Sequence, residues 1–379
     1  MKKYLILIVT LLLITGCADK LEEKGFSKDE RTYIKENLND DEINKLLELD
    51  YDKNTINILK EDNYNIDNIS KYLNYINTYN LEVKDAINYI NNDIDYEVIK
   101  SMVELENFNK DKLMDYYNIK KNHSLSDELV LYIVNNNIKY STDIENYAKE
   151  KYFKLDNLKR YLGYNKGNNS YANVIKLVNS NRDKTFYTDS VKTDLSKGYL
   201  LIVNKYYSLD KNYVPSNLVH LTSSYTDNGC RLERKTYEQF KKLVDDAKKD
   251  GLYIKCRSGY RSYNDQNYIY NSYRNAHGQV WADKYSAKPG YSEHQTGLAI
   301  DVMASGINNY GQFYGTKEYA WMVKNAYKYG FILRYLESEE NITGYSYESW
   351  HYRYVGVDVA TKIKNENLTY EEYYEYYVK

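Results

Sequence analysis

Apolar residues in the first half of the chain recur at helical spacing, and the pattern itself repeats. Ile69 is followed three residues later by Tyr72, and pairs of the same kind begin at Leu113 and Leu158, an offset of 44 to 45 residues. Apolar residues at i and i+3 mark one face of a helix, and a repeat of about 40–47 residues suits two or three short stacked helices. The pattern predicts an all-α repeat region over residues 31–165, acting as a spacer or a peptide-binding surface. Chance matching in a chain rich in Asn, Tyr and Lys is the alternative.

Turn-forming residues are concentrated in the second half of the chain. No glycine occurs between Gly25 and Gly163, whereas 13 of the 17 glycines and both prolines lie at or beyond Gly198. Glycine and proline mark turns between strands, so residues 199–365 are predicted to form an α+β domain after a connector at 166–198. Its predicted elements are strands at Tyr199–Val203, Leu252–Cys256 and Gly297–Val302 and helices at Lys235–Lys249 and Lys317–Tyr329. Residues 366–379, where Tyr alternates with Glu, are interpreted as an amphipathic C-terminal tail helix.

The N-terminus has the pattern of an export signal. Lys2 and Lys3 precede the apolar run Tyr4–Ile14, which is too short for a stable membrane span and typical of a signal-peptide core. The sequence Ile14-Thr15-Gly16-Cys17 resembles a bacterial lipobox, which implies a lipoprotein signal peptide at 1–16 and a diacylglycerol on Cys17. Residues 17–30 would then form a tether on the extracytoplasmic face of the cell membrane. An ordinary secretory signal with an incidental cysteine is the alternative.

The charge balance excludes a general polyanion-binding role. Lys and Arg number 52 against 54 Asp and Glu, which gives a formal net charge of -2. Without an overall basic field, nucleic acid is not an expected partner. The length of 379 residues suits two or three domains.

Candidate chemistry lies in two short stretches of the second half. The first runs from Ser292 to Asp301 and contains His294, and the second contains Glu348 and His351. A hydrolytic zinc site uses three nitrogen or oxygen ligands and keeps one position open for water. His294, Asp301 and His351 can supply that set. Glu348 lies three residues from His351 and can accept the proton of an attacking water.

Four motifs in this half resemble those of VanY-type D-alanyl-D-alanine carboxypeptidases. This family belongs to the LAS group of metallopeptidases, which has lysostaphin-like and hedgehog-like relatives. In chain order the motifs are Ser258–Ser262 with Gln266 behind it, Pro289–Gly297, Gly330–Tyr335 and Glu348–Gly356. The resemblance covers about residues 199–365 and implies the LAS/hedgehog-like fold, a small antiparallel sheet with helices.

The resemblance also implies roles for individual residues. It implies one Zn²⁺ on His294, Asp301 and His351, with Glu348 as the catalytic base. It places Arg261 in the substrate pocket, where a guanidinium can grip a carboxylate through two hydrogen bonds, and adds Gln266 and Ser292 as substrate-binding positions. One departure is Ser349, which stands where the family usually has proline.

The expected function is removal of the C-terminal D-Ala from peptidoglycan stem peptides by a zinc carboxypeptidase. L,D-carboxypeptidase or endopeptidase activity on cell-wall peptides is one alternative, and a non-catalytic cell-wall binding lipoprotein is another. Glu348 favours an enzyme, because a structural zinc site needs no base. The expected partners are the stem peptides and, through the lipid anchor, the membrane.

Two further cysteines leave a choice open. Cys230 and Cys256 can form a disulfide in an exported protein, or they can remain as buried free thiols. Spacing does not decide between these alternatives, because only geometry determines whether two cysteines can be bridged.

Overall fold

The computed structural model describes residues 20–379, which form two compact units. The first unit ends at Tyr140, and the second runs from Ser141 to Lys379. The predicted signal peptide and the predicted lipid attachment at Cys17 lie outside the described residues. Among residues 20–379, no helix combines the length and the apolar character that a membrane span needs.

The first unit consists of short helices joined by tight turns. Side-chain caps start several of them, as at Ser27 and Asn39, which form capping boxes with Glu30 and Glu42. The helices of this unit are α1 Lys28–Asn37, α2 Asp40–Leu47, α3 Thr55–Leu59, α4 Ile69–Tyr79, α5 Val83–Asn91, α6 Tyr96–Val103, α7 Leu113–Asn122 and α8 Asp127–Asn135.

The repeat predicted from the sequence is present as a recurring tyrosine bridge. The buried Tyr72 hydroxyl accepts a hydrogen bond from the backbone N–H of Asn65 at 3.1 Å and donates to Asn91 Oδ1 at 2.5 Å. Tyr116 makes the same two bonds, at 3.2 Å and 2.5 Å. In the second unit Tyr161 does so with Lys154 and Asn179. The apolar pattern therefore marks true structural copies, of which the third belongs to the second unit.

The second unit contains both helices and strands. Its helices are α9 Thr142–Ala148, α10 Leu158–Gly163, α11 Tyr171–Asn179, α12 Arg234–Lys249, α13 Tyr263–His277, α14 Gln279–Tyr285, α15 Lys317–Asn325, α16 Glu340–Thr343, α17 Val357–Glu366 and α18 Tyr370–Tyr377. Its strands are β1 Val191–Lys192, β2 Tyr207–Ser208, β3 Leu218–His220, β4 Arg231–Glu233, β5 Ile254–Ser258, β6 Ala299–Ala304, β7 Phe331–Leu333 and β8 His351–Tyr354.

A four-stranded antiparallel sheet forms the centre of the second unit. Its strand order is β5-β6-β8-β7, and every residue of β6 is buried. Ile300 and Val302 of β6 share a core with Phe240 and Leu243 of α12. This small sheet with helices confirms the predicted α+β domain, and the helices that precede it confirm the all-α region.

The strand predicted at Tyr199–Val203 is wrong. A 3₁₀ helix covers Leu195–Leu200, and the three residues after it are buried without forming a strand. The backbone oxygens of Tyr199 and Leu201 accept hydrogen bonds from the Arg353 guanidinium at 3.1 and 2.7 Å. Burial gave this segment the apolar pattern of a strand, but its carbonyls bind an arginine rather than a neighbouring strand.

The other predicted elements are present with small shifts. Strands β5 and β6 begin two residues later than predicted, and the helix predicted at Lys317–Tyr329 ends at Asn325 and continues as a 3₁₀ turn. Helix α11 lies inside the stretch predicted to be a connector, because it completes the third repeat. In the tail helix α18, Tyr370–Glu375 are all buried, so its glutamates do not form a solvent-facing stripe.

Candidate active site

Neighbouring strands β6 and β8 bring two distant segments of the chain together. Asp301 in β6 is paired in register with His351, the first residue of β8. His294 comes from the 3₁₀ turn Glu293–Thr296 that leads into β6. His294 and Asp301 from one segment therefore meet His351 from the other at one end of the sheet.

Two glycines permit the close packing around this point. Gly297 ends the 3₁₀ turn with a φ of +69°, and a Cβ there would lie 2.9 Å from Leu218. A Cβ on Gly259 would lie 2.3 Å from the carbonyl oxygen of Arg231. The carbonyl oxygen of Gly259 in turn lies 2.7 Å from Nδ1 of His294. Side chains at either position would push the turn away from its neighbours.

The predicted ligands form a compact buried cluster. His294, Asp301 and His351 are each 4% exposed, and one donor atom from each lies within 4.8 Å of the others. Asp301 Oδ2 is 3.4 Å from Nε2 of His294, and Oδ1 is 3.2 Å from Nδ1 of His351. Within residues 20–379, Oδ1 is buried without a hydrogen-bond partner. Two imidazole nitrogens, a carboxylate and an open side fit the donor set of a hydrolytic zinc site.

The second nitrogen of each imidazole faces a backbone or carboxylate oxygen. Nδ1 of His294 lies against the Gly259 carbonyl, so it carries the proton and leaves Nε2 free to bind a metal. For His351 the atoms are reversed, with Nδ1 toward Asp301 and Nε2 at 3.5 Å from Glu293 Oε2. The two rings therefore present different nitrogen atoms to the same point.

The charges of the cluster attract a cation. Burial alone would raise the pKa of Asp301, but the adjacent rings of His294 and His351 hold it well below its ordinary value. Burial also acts to lower the pKa of His351, yet the carboxylates of Asp301 and Glu293 raise it to about 9. Asp301 therefore stays ionised, and a buried carboxylate between two imidazole rings supplies the negative charge that a metal cation needs.

Glu348 approaches the cluster from the open side. Its side chain is 19% exposed, and Oε2 lies 3.5 Å from Nδ1 of His351. Burial raises the pKa of Glu348 to about 7. A carboxyl group with a pKa near neutrality suits proton transfer, because it can both accept and return a proton. Backbone hydrogen bonds from Glu348 to Tyr335 and from His351 to Glu348 hold this turn, in which Ser349 replaces proline.

Arg261 is held with its guanidinium beside the cluster. Nη1 donates to Gln266 Oε1 at 2.8 Å, Nη2 donates to Ser258 Oγ at 3.0 Å, and Nη2 lies 3.7 Å from Asp301 Oδ2. Gln266 is itself fixed, because its amide nitrogen donates to the Ala287 carbonyl at 2.7 Å. The side chain of Arg261 remains 20% exposed. Gln266 therefore orients the arginine, and other guanidinium N–H groups stay available to a ligand.

One cleft of about 280 Å³ contains all of these groups. Arg261, Gln266 and Ser292 line it together with Glu348 and the three predicted metal ligands. Its remaining walls are largely aromatic, formed by Tyr310, Tyr335, Tyr345 and Trp350. The structure thus brings every predicted ligand, base and substrate-binding residue of the second half onto a single surface.

Comparison with known proteins shows which family the chain resembles. Residues 229–357 match the family model of VanY, described as D-alanyl-D-alanine carboxypeptidase. The putative carboxypeptidase YodJ of Bacillus subtilis is 41% identical over 182 residues, which are 46% of this chain and 67% of that protein. A D-alanyl-D-alanine carboxypeptidase of Enterococcus faecalis is 35% identical over 200 residues, covering 50% of this chain and 71% of the relative. The chain belongs to the VanY family.

Solved structures similar to this chain include an LD-carboxypeptidase and a D,D-pentapeptidase. The LdcB LD-carboxypeptidase is 38% identical, with a TM-score of 0.47, and the match covers 49% of this chain and 90% of that one. A VanY D,D-pentapeptidase from a VanB-type resistance cassette, solved in complex with Zn(II), is 37% identical with a TM-score of 0.41. That match covers 46% of this chain and 98% of the solved one.

Sequence reasoning missed the charged groups beneath the VanY cleft. Glu293 lies one residue before His294 and is fully buried against Arg334 and Arg353. Its place directly before a ligand, and the arginine in the motif Gly330–Tyr335, were the available signals. Glu371 in α18 accepts hydrogen bonds from Arg334, and no sequence signal pointed to it, because this residue lies beyond the VanY match.

The two cysteines lie outside the cleft. Cys230 and Cys256 are both buried free thiols, so the structure contains the second of the two alternatives that the sequence left open. The Cys230 sulfur lies 3.4 Å from the Cys256 carbonyl oxygen and accepts a hydrogen bond from Thr226 at 3.3 Å. The thiols therefore belong to the packing of the core under β5.

Proposed function

We propose that this chain is a zinc D,D-carboxypeptidase that removes the C-terminal D-Ala from peptidoglycan stem peptides. The observation that carries the proposal is the cleft in which Arg261, Glu348 and a buried His294–Asp301–His351 cluster meet. The family membership of the chain supports the same activity. An enzyme is favoured over a binding module, because Glu348 lies beside the ligand set without being needed in it.

His294 through Nε2, Asp301, and His351 through Nδ1 would hold the zinc. When bound there, zinc would polarise the scissile carbonyl and make water more acidic, toward a pKa of about 7. Asp301 supplies the one negative charge of the ligand set and separates the two rings.

Glu348 acts as general base and then as general acid. From the open side of the cluster it accepts the proton of the attacking water and returns it to the amine of the leaving D-Ala. Its raised pKa, about 7, matches both steps at neutral pH. Its greater exposure than that of the ligands leaves room for water and substrate next to it.

Arg261 binds the free carboxylate at the end of the substrate. Gln266 and Ser258 fix the guanidinium plane in advance, so that little side-chain freedom is lost on binding. Because the guanidinium lies 3.7 Å from Asp301, a substrate carboxylate bound to it would lie close to the scissile bond. This position makes the enzyme a carboxypeptidase rather than a general peptidase.

The proposed location is the extracytoplasmic face of the cell membrane. It is supported by the lipobox-like sequence that ends at Cys17 after a short apolar run. A lipid anchor there would keep the catalytic domain close to the cell wall, where stem peptides are found.

The test offers the purified mature chain three substrates with zinc present: pentapeptide, tetrapeptide and cross-linked muropeptides, with products identified by mass. We expect D-Ala to be released from the pentapeptide in preference to the tetrapeptide and the cross-linked muropeptides. Preferred trimming of the tetrapeptide would indicate an L,D-carboxypeptidase, and opening of cross-links would indicate an endopeptidase. No cleavage of any substrate would support a binding lipoprotein.

A further inference from the structure

The outer nitrogen of His351 is directed at a buried carboxylate. Nε2 lies 3.5 Å from Glu293 Oε2, and within residues 20–379 neither atom has another hydrogen-bond partner. A neutral imidazole carries one proton, so a proton held on Nε2 by Glu293 leaves the lone pair of Nδ1 facing Asp301. Glu293 thus determines which nitrogen of His351 can bind a metal.

Two buried arginines hold Glu293 in place. Its other oxygen, Oε1, accepts one hydrogen bond from Arg334 Nε and one from Arg353 Nη1, both at 2.9 Å. The side chains of all three residues are 0% exposed. A carboxylate with one oxygen fixed by two guanidinium groups cannot rotate away from the imidazole.

A glutamate from the C-terminal helix α18 completes the network. Glu371 receives two hydrogen bonds from the guanidinium of Arg334, from Nη1 at 2.8 Å and from Nη2 at 2.6 Å. Two carboxylates and two guanidiniums then balance to zero charge beneath the metal cluster. Without Glu371 one buried positive charge would remain uncompensated close to a site that must accept a cation.

Helix α18 is itself held by the third repeat. The ring of Tyr152 stacks on Tyr376 at 3.7 Å, and Lys154 Nζ donates to the carbonyl oxygen of Glu375 at 2.6 Å. Glu371 is therefore presented by a helix whose last turn is fixed by these contacts. These contacts all lie inside the second unit.

We propose that Glu293 and Glu371 are positioning residues for His351, and that α18 is thereby a working part of the catalytic centre. The inference rests on the proposed zinc site. The contacts run from Glu371 to Arg334, from Arg334 to Glu293, and from Glu293 to His351. Residues outside the VanY match thus support a ligand inside it.

Zinc affinity tests this inference without measuring peptidase activity. Competition with a chromophoric chelator compares the mature wild-type chain with Glu293→Gln, Glu371→Gln and Glu375→Gln. Glu375 is the matched control, because it is buried in the same helix but pairs with Tyr207 and Lys154 instead of the arginines. Thermal melting of each variant separates lost stability from lost affinity.

We expect Glu293→Gln to weaken zinc binding on the order of 10–100-fold, as for other residues that orient metal ligands. Glu371→Gln should weaken it by a smaller factor that still exceeds the effect of Glu375→Gln. Equal zinc affinity in all three variants would overturn the inference and leave the proposed function intact. A wild-type chain that binds no zinc would instead overturn the proposed function.

A measurement on the wild-type chain covers the case in which the variants do not fold. The chain has five histidines, so ¹⁵N-histidine labelling gives a simple spectrum of the zinc-loaded protein. We expect the Nε2–H of His351 to exchange slowly with water, because Glu293 accepts it in a buried position. Exchange as fast as that of the exposed His277 would show that Glu293 does not hold this proton.

Discussion

Glu348 and the three predicted ligands differ in their access to solvent. The Glu348 side chain is 19% exposed, whereas those of His294, Asp301 and His351 are 5–6% exposed. This difference separates a group that must meet water from groups that must hold a cation. It also makes the two roles separable by mutation.

Glu348→Gln should reduce turnover by about 10²–10⁴-fold, because the amide cannot accept the proton. Zinc should remain bound, since Glu348 is outside the ligand set. His351→Ala should lose both zinc and activity. Zinc content by elemental analysis, with D-Ala release, checks both variants. Activity of Glu348→Gln within a few-fold of wild type would remove this residue from the mechanism.

Arg261→Ala should raise KM and lower kcat/KM for a pentapeptide that ends in D-Ala-D-Ala. Losing one partner of a charged bidentate pair in a partly buried pocket costs about 2–5 kcal/mol. Lys should restore little, because an ammonium cannot form two parallel hydrogen bonds.

Amidation of the substrate's C-terminus serves as the control for Arg261. It should impair the wild type far more than Arg261→Ala, which has already lost the contact. If both enzymes were equally sensitive to amidation, Arg261 would not read the carboxylate.

The candidate metal ligands and the base could be predicted from the sequence, but the buried residues that hold the ligands in place could not. His294, Asp301, Glu348 and His351 are chemically distinctive residues at recognisable spacing. Glu371 is one of several glutamates in a tyrosine-rich tail, and only folding shows that it meets Arg334. Long-range pairs of common residues leave no local pattern.

Among the elements, the recurring tyrosine bridges explain how short helices stay packed. Each bridge closes the turn before one helix onto the end of the next, as Tyr116 does between Asn109 and Asn135. Its hydroxyl satisfies a backbone N–H that no helix partner can reach. The sequence predicted this repeat correctly because its apolar positions recur at fixed spacing.

Tyr116→Phe should lower the free energy of unfolding of the first unit by about 1–3 kcal/mol, because it leaves a buried donor and acceptor unpaired. Urea unfolding of the mature chain, followed by helical circular dichroism, measures the change. Tyr132→Phe in α8 is the control, because within residues 20–379 its hydroxyl forms no bridge of this kind. Equal stability of the two variants would show that the bridge contributes nothing.

The error at Tyr199–Val203 has a physical reason that sequence could not reveal. Leu201, Ile202 and Val203 are buried like a strand, but Arg353 takes the carbonyl of Leu201. Apolar periodicity indicates burial, whereas the hydrogen-bond partner of the Leu201 carbonyl is a residue 152 positions away. The β6–β8 pairing that brings Asp301 next to His351 is also a long-range contact. In this case the sequence motifs predicted that the two residues share a site.

For the whole molecule, the working catalytic unit extends further toward the N-terminus than the VanY match. Tyr152, Lys154 and Lys176 contact the tail helix or its neighbours, and Lys176 lies 3.4 Å from Glu372. The third repeat therefore belongs with the catalytic domain. A boundary at residue 199 would remove these contacts.

A chain of residues 141–379 should melt like the second unit of the mature protein and keep its zinc. A chain of residues 199–379 should melt at a lower temperature, by about 2–4 °C for each 1 kcal/mol of unfolding free energy that is lost. Differential scanning calorimetry compares the two. Identical melting would show that the third repeat is dispensable for the catalytic domain.

Cys17→Ser should abolish lipid labelling of the exported protein and release it from membranes after signal cleavage. The reason is that a short apolar run does not anchor by itself, whereas two or more acyl chains do. Metabolic labelling with a fatty acid and membrane fractionation check this. Continued membrane binding of the cleaved Cys17→Ser protein would place the anchor elsewhere.

The most direct test of the proposed activity is zinc-dependent release of D-Ala by the purified mature chain. The protein is stripped with a chelator, titrated with zinc and supplied with a pentapeptide muropeptide, while free D-Ala is measured. We predict no release from the stripped protein and full release at about one zinc per chain, because residues 20–379 contain a single cluster of three candidate ligands. Release that persists after complete removal of the metal, or no release with zinc bound, would contradict it.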